Sequence, residues 1–325
     1  MKNRIDDIEI LRGISVLVIM VHHARDNLIT WSTPMLERFY LYISGTGSVD
    51  LFFAISGFVI TRNIAPRIAE CANTQQFFIT AISFWMRRIW RLLPSAWLCL
   101  AGIVLASAFF NHTGAFGSFR ANFAGAVAAM LHVANLHFAN AMGTPLGLGA
   151  IFHFWTLSLE EQFYIALPFV IFLSKRTLPV VIGIALAVQT YIHLQPPQSY
   201  YYWILRIDSI LLGVLIACWS QRPSWHLFSP NFFAHSRIVR AFTLIGIVLA
   251  IAFVGANDLR IVQYQIPLMA LLAAILVWIA SYDRNFLMAP GVVKNFLIWS
   301  GTRSYALYLW HIPVFFATRE IWFRI

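Results

Sequence analysis

Residues 151–173 read IFHFWTLSLEEQFYIALPFVIFL. A run this apolar reaches the length of about 20 residues that a helix needs to cross a hydrocarbon core of about 30 Å. Similar runs lie at 8–28, 36–60, 93–110, 121–141, 178–194, 203–219, 238–255, 262–280 and 299–318. About ten such helices use about 200 residues, most of a 325-residue chain. The polar stretches between them, 61–92, 111–120, 142–150, 220–237 and 281–298, are too short for a separate globular domain. No tandem repeat or low-complexity linker interrupts them. Residues 1–325 are therefore expected to form one domain, an all-α polytopic transmembrane bundle of about ten helices, one or more of them re-entrant.

Composition agrees. Hydrophobic residues make up 60% of the chain and charged residues 11%, against about 45–50% and about 25% in soluble domains. That balance excludes a soluble enzyme, a disordered chain, collagen and a disulfide scaffold. The net charge of +10 is expected in cytoplasmic loops rather than on a nucleic-acid surface. Cys71, Cys99 and Cys218 make no disulfide framework, and no CxxC or Cys/His cluster suggests a metal. Lys2 and Arg4 ahead of the run 13–21 mimic a signal peptide, but no small-residue cleavage site follows, so the run reads as part of the first span.

Orientation follows from arginines. Arg62, Arg67, Arg87, Arg88 and Arg91 place the stretch 61–92 and the N-terminus in the cytoplasm. Ten strict spans would then leave Lys175, Arg222, Arg240, Arg284 and Lys294 outside. One re-entrant segment within 93–150 brings them inside and moves the C-terminus outside.

Charged and polar residues inside spans are expensive, so each is a functional candidate. Arg12 and His23 are 11 residues apart; at 100° each that is three turns plus about 20°, so both share one helix face with an axial separation of about 16 Å. His23 suits acid–base or nucleophilic work, or else snorkels to the headgroups. Asp50 opens the run 50–60 and either pairs with an intramembrane cation, orients a histidine or caps its helix. Ser56 and Gly57 allow close helix approach. Arg87, Arg88 and Arg91 share a helical side, and their forked guanidinium groups suit the phosphates of a nucleotide-like donor or anionic lipid headgroups. Thr156, Glu160 and Tyr164 step by four along one face, whereas Glu161 points about 100° away, toward an interfacial position. Arg206 and Asp208 differ by about 200° and are expected to meet different helices. Ser304, Tyr308 and His311 form another stripe, for chemistry or for bundle hydrogen bonds.

In this order the segments resemble the acyltransferase 3 family of membrane O-acyltransferases. The matching residues are Arg12-x10-His23, Val49-Asp-Leu-Phe-Phe-Ala-Ile-Ser-Gly57, Arg88-x2-Arg91 with Pro94, Trp155-x-Leu-Ser-Leu-Glu160-Glu-Gln-Phe-Tyr164, Arg206-x-Asp208 with Gly213, and Ser304-Tyr305-x2-Tyr308. They run from about residue 6 to residue 318, nearly the whole chain. The resemblance implies transfer of an acyl group, usually acetyl, from cytoplasmic acyl-CoA to a hydroxyl of a cell-surface glycan, polysaccharide precursor, lipopolysaccharide or glycolipid. It implies His23 as base or transient acyl carrier, with Glu160, Asp50 and Arg12 in the catalytic set. Arg87, Arg88 and Arg91 would hold the CoA phosphates, and Tyr164, Arg206, Asp208, Ser304 and Tyr308 would support the substrates. Acetyl-CoA is expected as donor substrate, with no metal. The expected setting is the bacterial inner membrane, in a stand-alone form without a C-terminal esterase-like domain and with a separate extracytoplasmic transfer partner. No GxSxG elbow speaks for a serine nucleophile. The competing readings are a transporter or flippase for a polar substrate, which would use the same buried charges as a pathway, and an inactive structural partner.

Overall fold

A computed structural model describes residues 4–325 apart from 143, 145–146, 197–199, 232, 234–235 and 257–261. Lys2 lies outside the described residues. The chain is all-α among them. Its main helices are α1 (Asp6–Asn27), α2 (Pro34–Tyr42), α3 (Gly47–Ala69), α4 (Thr74–Phe109), α5 (Phe119–Met130), α6 (Ala134–Ala141), α7 (Phe154–Ser174), α8 (Leu178–His193), α9 (Asp208–Ser220), α10 (Arg237–Val254), α11 (Val262–Ala280), α12 (Val292–Thr302) and α13 (Ser304–Arg324).

Local chemistry sets the ends. Asp6, Asp7 and Glu9 put negative charge on the first turn of α1, where the helix dipole favours it. Thr33, Asn73, Ser118 and Ser236 accept hydrogen bonds from the free amides at the starts of α2, α4, α5 and α10. Four stretches are long and apolar enough to cross a membrane: 34–69, 74–109, 154–193 and 263–280.

The segment boundaries differ from expectation in five places, one being 203–219, which is broken at 205–207. The expected polar stretch 61–92 is mostly helix, because α3 runs to Ala69 and α4 is a single helix from Thr74 to Phe109. Its arginines sit on helix faces rather than in a loop. The segment 121–141 is broken between α5 and α6 at His132, which adopts φ 59°. These helices have 12 and 8 residues, too short for either to cross about 30 Å at 1.5 Å per residue. The segment 36–60 divides into α2 and α3, and 299–318 divides at Arg303 into α12 and α13.

Two glycine pairs bring helices to backbone contact. A Cβ on Gly13 would lie 2.2 Å from the Leu297 carbonyl oxygen and one on Gly301 1.9 Å from that of Glu9, which locks α1 to α12. Gly57 and Gly213 do the same for α3 and α9, each 2.2 Å from a carbonyl oxygen of the other helix. Such small-residue contacts drive packing where lipid offers no hydrophobic contrast.

Candidate active site

Six helices line a pocket of about 820 Å³, α12 through Gly301 and Thr302. Arg12 comes from α1, Ser56 from α3, Arg88 and Arg91 from α4, Thr156, Glu160 and Tyr164 from α7, and Ser304 and Tyr308 from α13. The stripes on α7 and α13 face one another across it. Tyr164 donates to Glu160 Oε2 at 3.0 Å, and the Ser56 hydroxyl lies 2.8 Å from the Tyr164 oxygen. Arg88 stacks over the Tyr164 ring, 5.2 Å from its centroid. Pro168 has no amide proton for the Tyr164 carbonyl one turn back, and Trp85 Nε1 donates to that carbonyl instead, at 3.0 Å. Arg12 pairs with Glu9 at 3.1 Å.

His23 lies at the far end of α1 in a second cluster. Its Nδ1 is 2.7 Å from His311 Nε2, and His311 Nδ1 is 2.5 Å from the Tyr308 carbonyl oxygen. A carbonyl only accepts, so in the neutral pair His311 carries its proton on Nδ1. His311 Nε2 is then the acceptor, and His23 must donate from its own Nδ1. The basic lone pair of His23 is thereby fixed on Nε2. Two neighbours hold this arrangement. The Phe152 ring meets His23 edge-on at 5.5 Å. His153 Nε2 donates to the Leu309 carbonyl at 3.1 Å, an acceptor that Pro313 leaves unused by the helix. Tyr308 joins the two regions: it lines the pocket, its hydroxyl lies 2.8 Å from that of Thr156, and its carbonyl holds His311.

Another cavity, of about 1010 Å³, opens between α3 and α4 and shares Arg88 and Arg91 with the pocket. Arg87 and Arg67 also line it. Arg67, read from sequence as a topology signal, therefore belongs with the arginine cluster, because the extension of α3 to Ala69 carries it alongside α4. Arg62 does not line this cavity and stacks on Phe58.

Asp50, Arg206 and Asp208 lie elsewhere. Asp50 is fully buried, forms an ion pair with Arg206 and accepts from Ser209 at 2.8 Å. Asp208 meets His193 at 2.9 Å. Arg206 and Asp208 do meet different helices, but Arg206 lies in the non-helical break before α9, so the phase of a continuous helix is not what separates them. Asp50 faces α9 rather than His23, and of the roles expected for it the structure shows the pairing with an intramembrane cation. Glu161 points away from the pocket, with its Oε2 2.5 Å from His132 Nδ1.

His311 stands at i+7 from Ser304 on the same stripe, and periodicity placed it on that face. Its pairing with a histidine 288 positions earlier had no local signal. His153 and His132 were equally silent, since their partners come from distant segments.

A family model described as an acyltransferase domain matches residues 5–325. The peptidoglycan O-acetyltransferase OatA of Listeria monocytogenes is 25% identical over 98% of this chain and 50% of its own length. The O-acetyltransferase OatA of Staphylococcus aureus is 28% identical over 94% of this chain and 49% of its own length. The chain thus spans about half the length of the curated relatives it matches. No solved structure matches it.

Proposed function

The chain belongs to the acyltransferase 3 family, and on that footing we propose that it is a membrane O-acyltransferase. It moves an acyl group, acetyl in the simplest case, from acyl-CoA on the cytoplasmic side to a hydroxyl of a cell-surface glycan. The observation that carries this reading is His23: its basic nitrogen is fixed by His311, which is held by the carbonyl of Tyr308, a residue that lines the pocket shared with Arg88 and Arg91.

The parts divide the work. The arginine cavity suits the pyrophosphate and 3′-phosphate of CoA, which guanidinium groups bind by paired hydrogen bonds. The pocket it adjoins is lined by Glu160, Tyr164 and Tyr308, and the acyl group would pass from there toward His23. His23 Nε2 accepts the proton of the acceptor hydroxyl as its oxygen attacks the thioester carbonyl. The new C–O bond forms, the C–S bond breaks, and the thiolate leaves with the proton that His23 gathered. Positive charge that builds on His23 spreads to His311 through the 2.7 Å contact and to the Tyr308 carbonyl behind it. Glu160 sits beside Tyr164 and opposite Arg12 and Arg88, which orders the pocket walls.

The setting is a bacterial inner membrane, and the acceptor class follows the relatives, one of which is named for peptidoglycan. A mass spectrum of the envelope glycans from cells carrying the wild-type chain, the His23→Ala chain or none tests this. O-acetyl groups that appear only with the wild type support it. Identical spectra from all three sink it.

A further inference from the structure

A cleft of about 690 Å³ opens on the outer side of the pocket, between α4 and α7. Ile89 and Leu93 of α4 and Ile165 of α7 form its rim. Ile89 is 41% and Ile165 50% exposed, and both lie on stretches able to cross a membrane, so the rim faces lipid chains. The inner wall, Arg88, Leu92 and Tyr164, is shared with the pocket. The cleft is therefore separated from the pocket only by these three side chains.

One end of this largely apolar space holds the His132–Glu161 pair. Such a pair within an apolar wall is costly and marks a functional position. It is also built rigidly. His132 takes φ 59°, Gln162 Nε2 donates to its carbonyl at 2.8 Å, and the Ala134 amide donates to Ser158 Oγ at 3.1 Å. The residues Ser158, Glu161 and Gln162 of one motif thus pin the turn between α5 and α6 onto α7. Among the described residues, His132 Nε2 and Glu161 Oε1 have no hydrogen-bond partner. They offer a ring nitrogen and a carboxylate oxygen to a ligand. Together they offer a donor and acceptor set that suits hydroxyl groups, while the Arg88 cation in the inner wall is stacked on Tyr164.

We propose that this cleft binds a saccharide acceptor anchored on a long apolar chain, the chain lying between Ile89, Leu93 and Ile165 and the sugar hydroxyls meeting His132 and Glu161. The acceptor then reaches the pocket sideways from the membrane, while the donor comes through the arginine cavity. Its place in the reaction rests on the O-acyltransferase reading, whereas the binding step does not.

The test uses the full chain in lipid nanodiscs and two photoreactive probes. One is a dodecyl β-N-acetylglucosaminide with a diazirine at the end of the chain, and the other is the same diazirine on plain dodecanol. The glycoside should label peptides containing residues 85–93 and 161–165. Ile89→Trp and Ile165→Trp, two independent ways of filling the cleft, should each cut that labelling by about tenfold, the loss expected for about 1.4 kcal/mol of binding. His132→Gln and Glu161→Gln should reduce glycoside labelling and spare dodecanol labelling. Labelling scattered over all lipid-facing helices, or unchanged by both tryptophans, overturns the proposal. Equal loss of both probes in the His132 and Glu161 variants overturns the sugar assignment. Focused labelling in a protein that transfers no acetyl group would sink the proposed activity and leave the cleft assignment standing.

Discussion

Replacing His311 tests the histidine pair that fixes the base. In His311→Phe the ring shape is kept and the acceptor for the His23 Nδ1 proton is lost. A buried donor left without its partner costs about 1–3 kcal/mol. If that cost falls on the reactive state of His23, at 1.36 kcal/mol per decade the rate drops by about fivefold to about 150-fold. His311→Gln keeps an amide oxygen that can accept the same proton, so its loss should be smaller. Because His311 does not line the pocket, the change should appear in kcat and not in the KM for acetyl-CoA. The assay is steady-state release of CoA from acetyl-CoA by purified variants matched for yield and folding. The order wild type, Gln, Phe in falling kcat supports the pairing. Wild-type kcat in His311→Phe, or a loss confined to KM, refutes it.

Three further outcomes are expected. Glu160→Gln keeps the size and hydrogen bonding of the side chain but removes its charge, so transfer should fall at least about tenfold, the effect of losing about 1.4 kcal/mol, at unchanged protein level in a membrane immunoblot. Arg88→Ala, Arg91→Ala and Arg67→Ala should each weaken acetyl-CoA binding by about tenfold to about a hundredfold, as loss of a contact worth roughly 1.5–3 kcal/mol implies; calorimetric titration checks this, with lysine restoring part of the loss and Arg62→Ala showing none. Asp50→Leu leaves Arg206 buried without its partner and should destabilise the protein by about 3–5 kcal/mol; thermal unfolding in detergent reads this, and the double change Asp50→Leu with Arg206→Met should recover most of it.

Periodicity made much of the site legible. Thr156, Glu160 and Tyr164 on one helix, and Ser304 and Tyr308 on another, line the same pocket because side chains four apart share a face. The distance along α1 likewise separated Arg12 from His23 as the structure does. What stayed hidden were pairings between faces. Nothing near Asp50 in the chain says that its neighbour is Arg206 of another segment rather than His23. Arginine density misled the reading of 61–92, since charge at a membrane surface is as compatible with long helices as with a loop. The α5–α6 break depends on a histidine in a left-handed conformation held by Gln162, a tertiary contact without a local turn signal.

The central claim is that His23 acts on an acyl group delivered as a CoA thioester. The direct measurement is incubation of purified protein with acetyl-labelled acetyl-CoA and a glycan acceptor, wild type beside His23→Ala. Wild type should release CoA and place label on the acceptor, while His23→Ala binds acetyl-CoA normally and transfers nothing. Label transfer by His23→Ala at the wild-type rate, or no CoA release by wild type, would contradict the account.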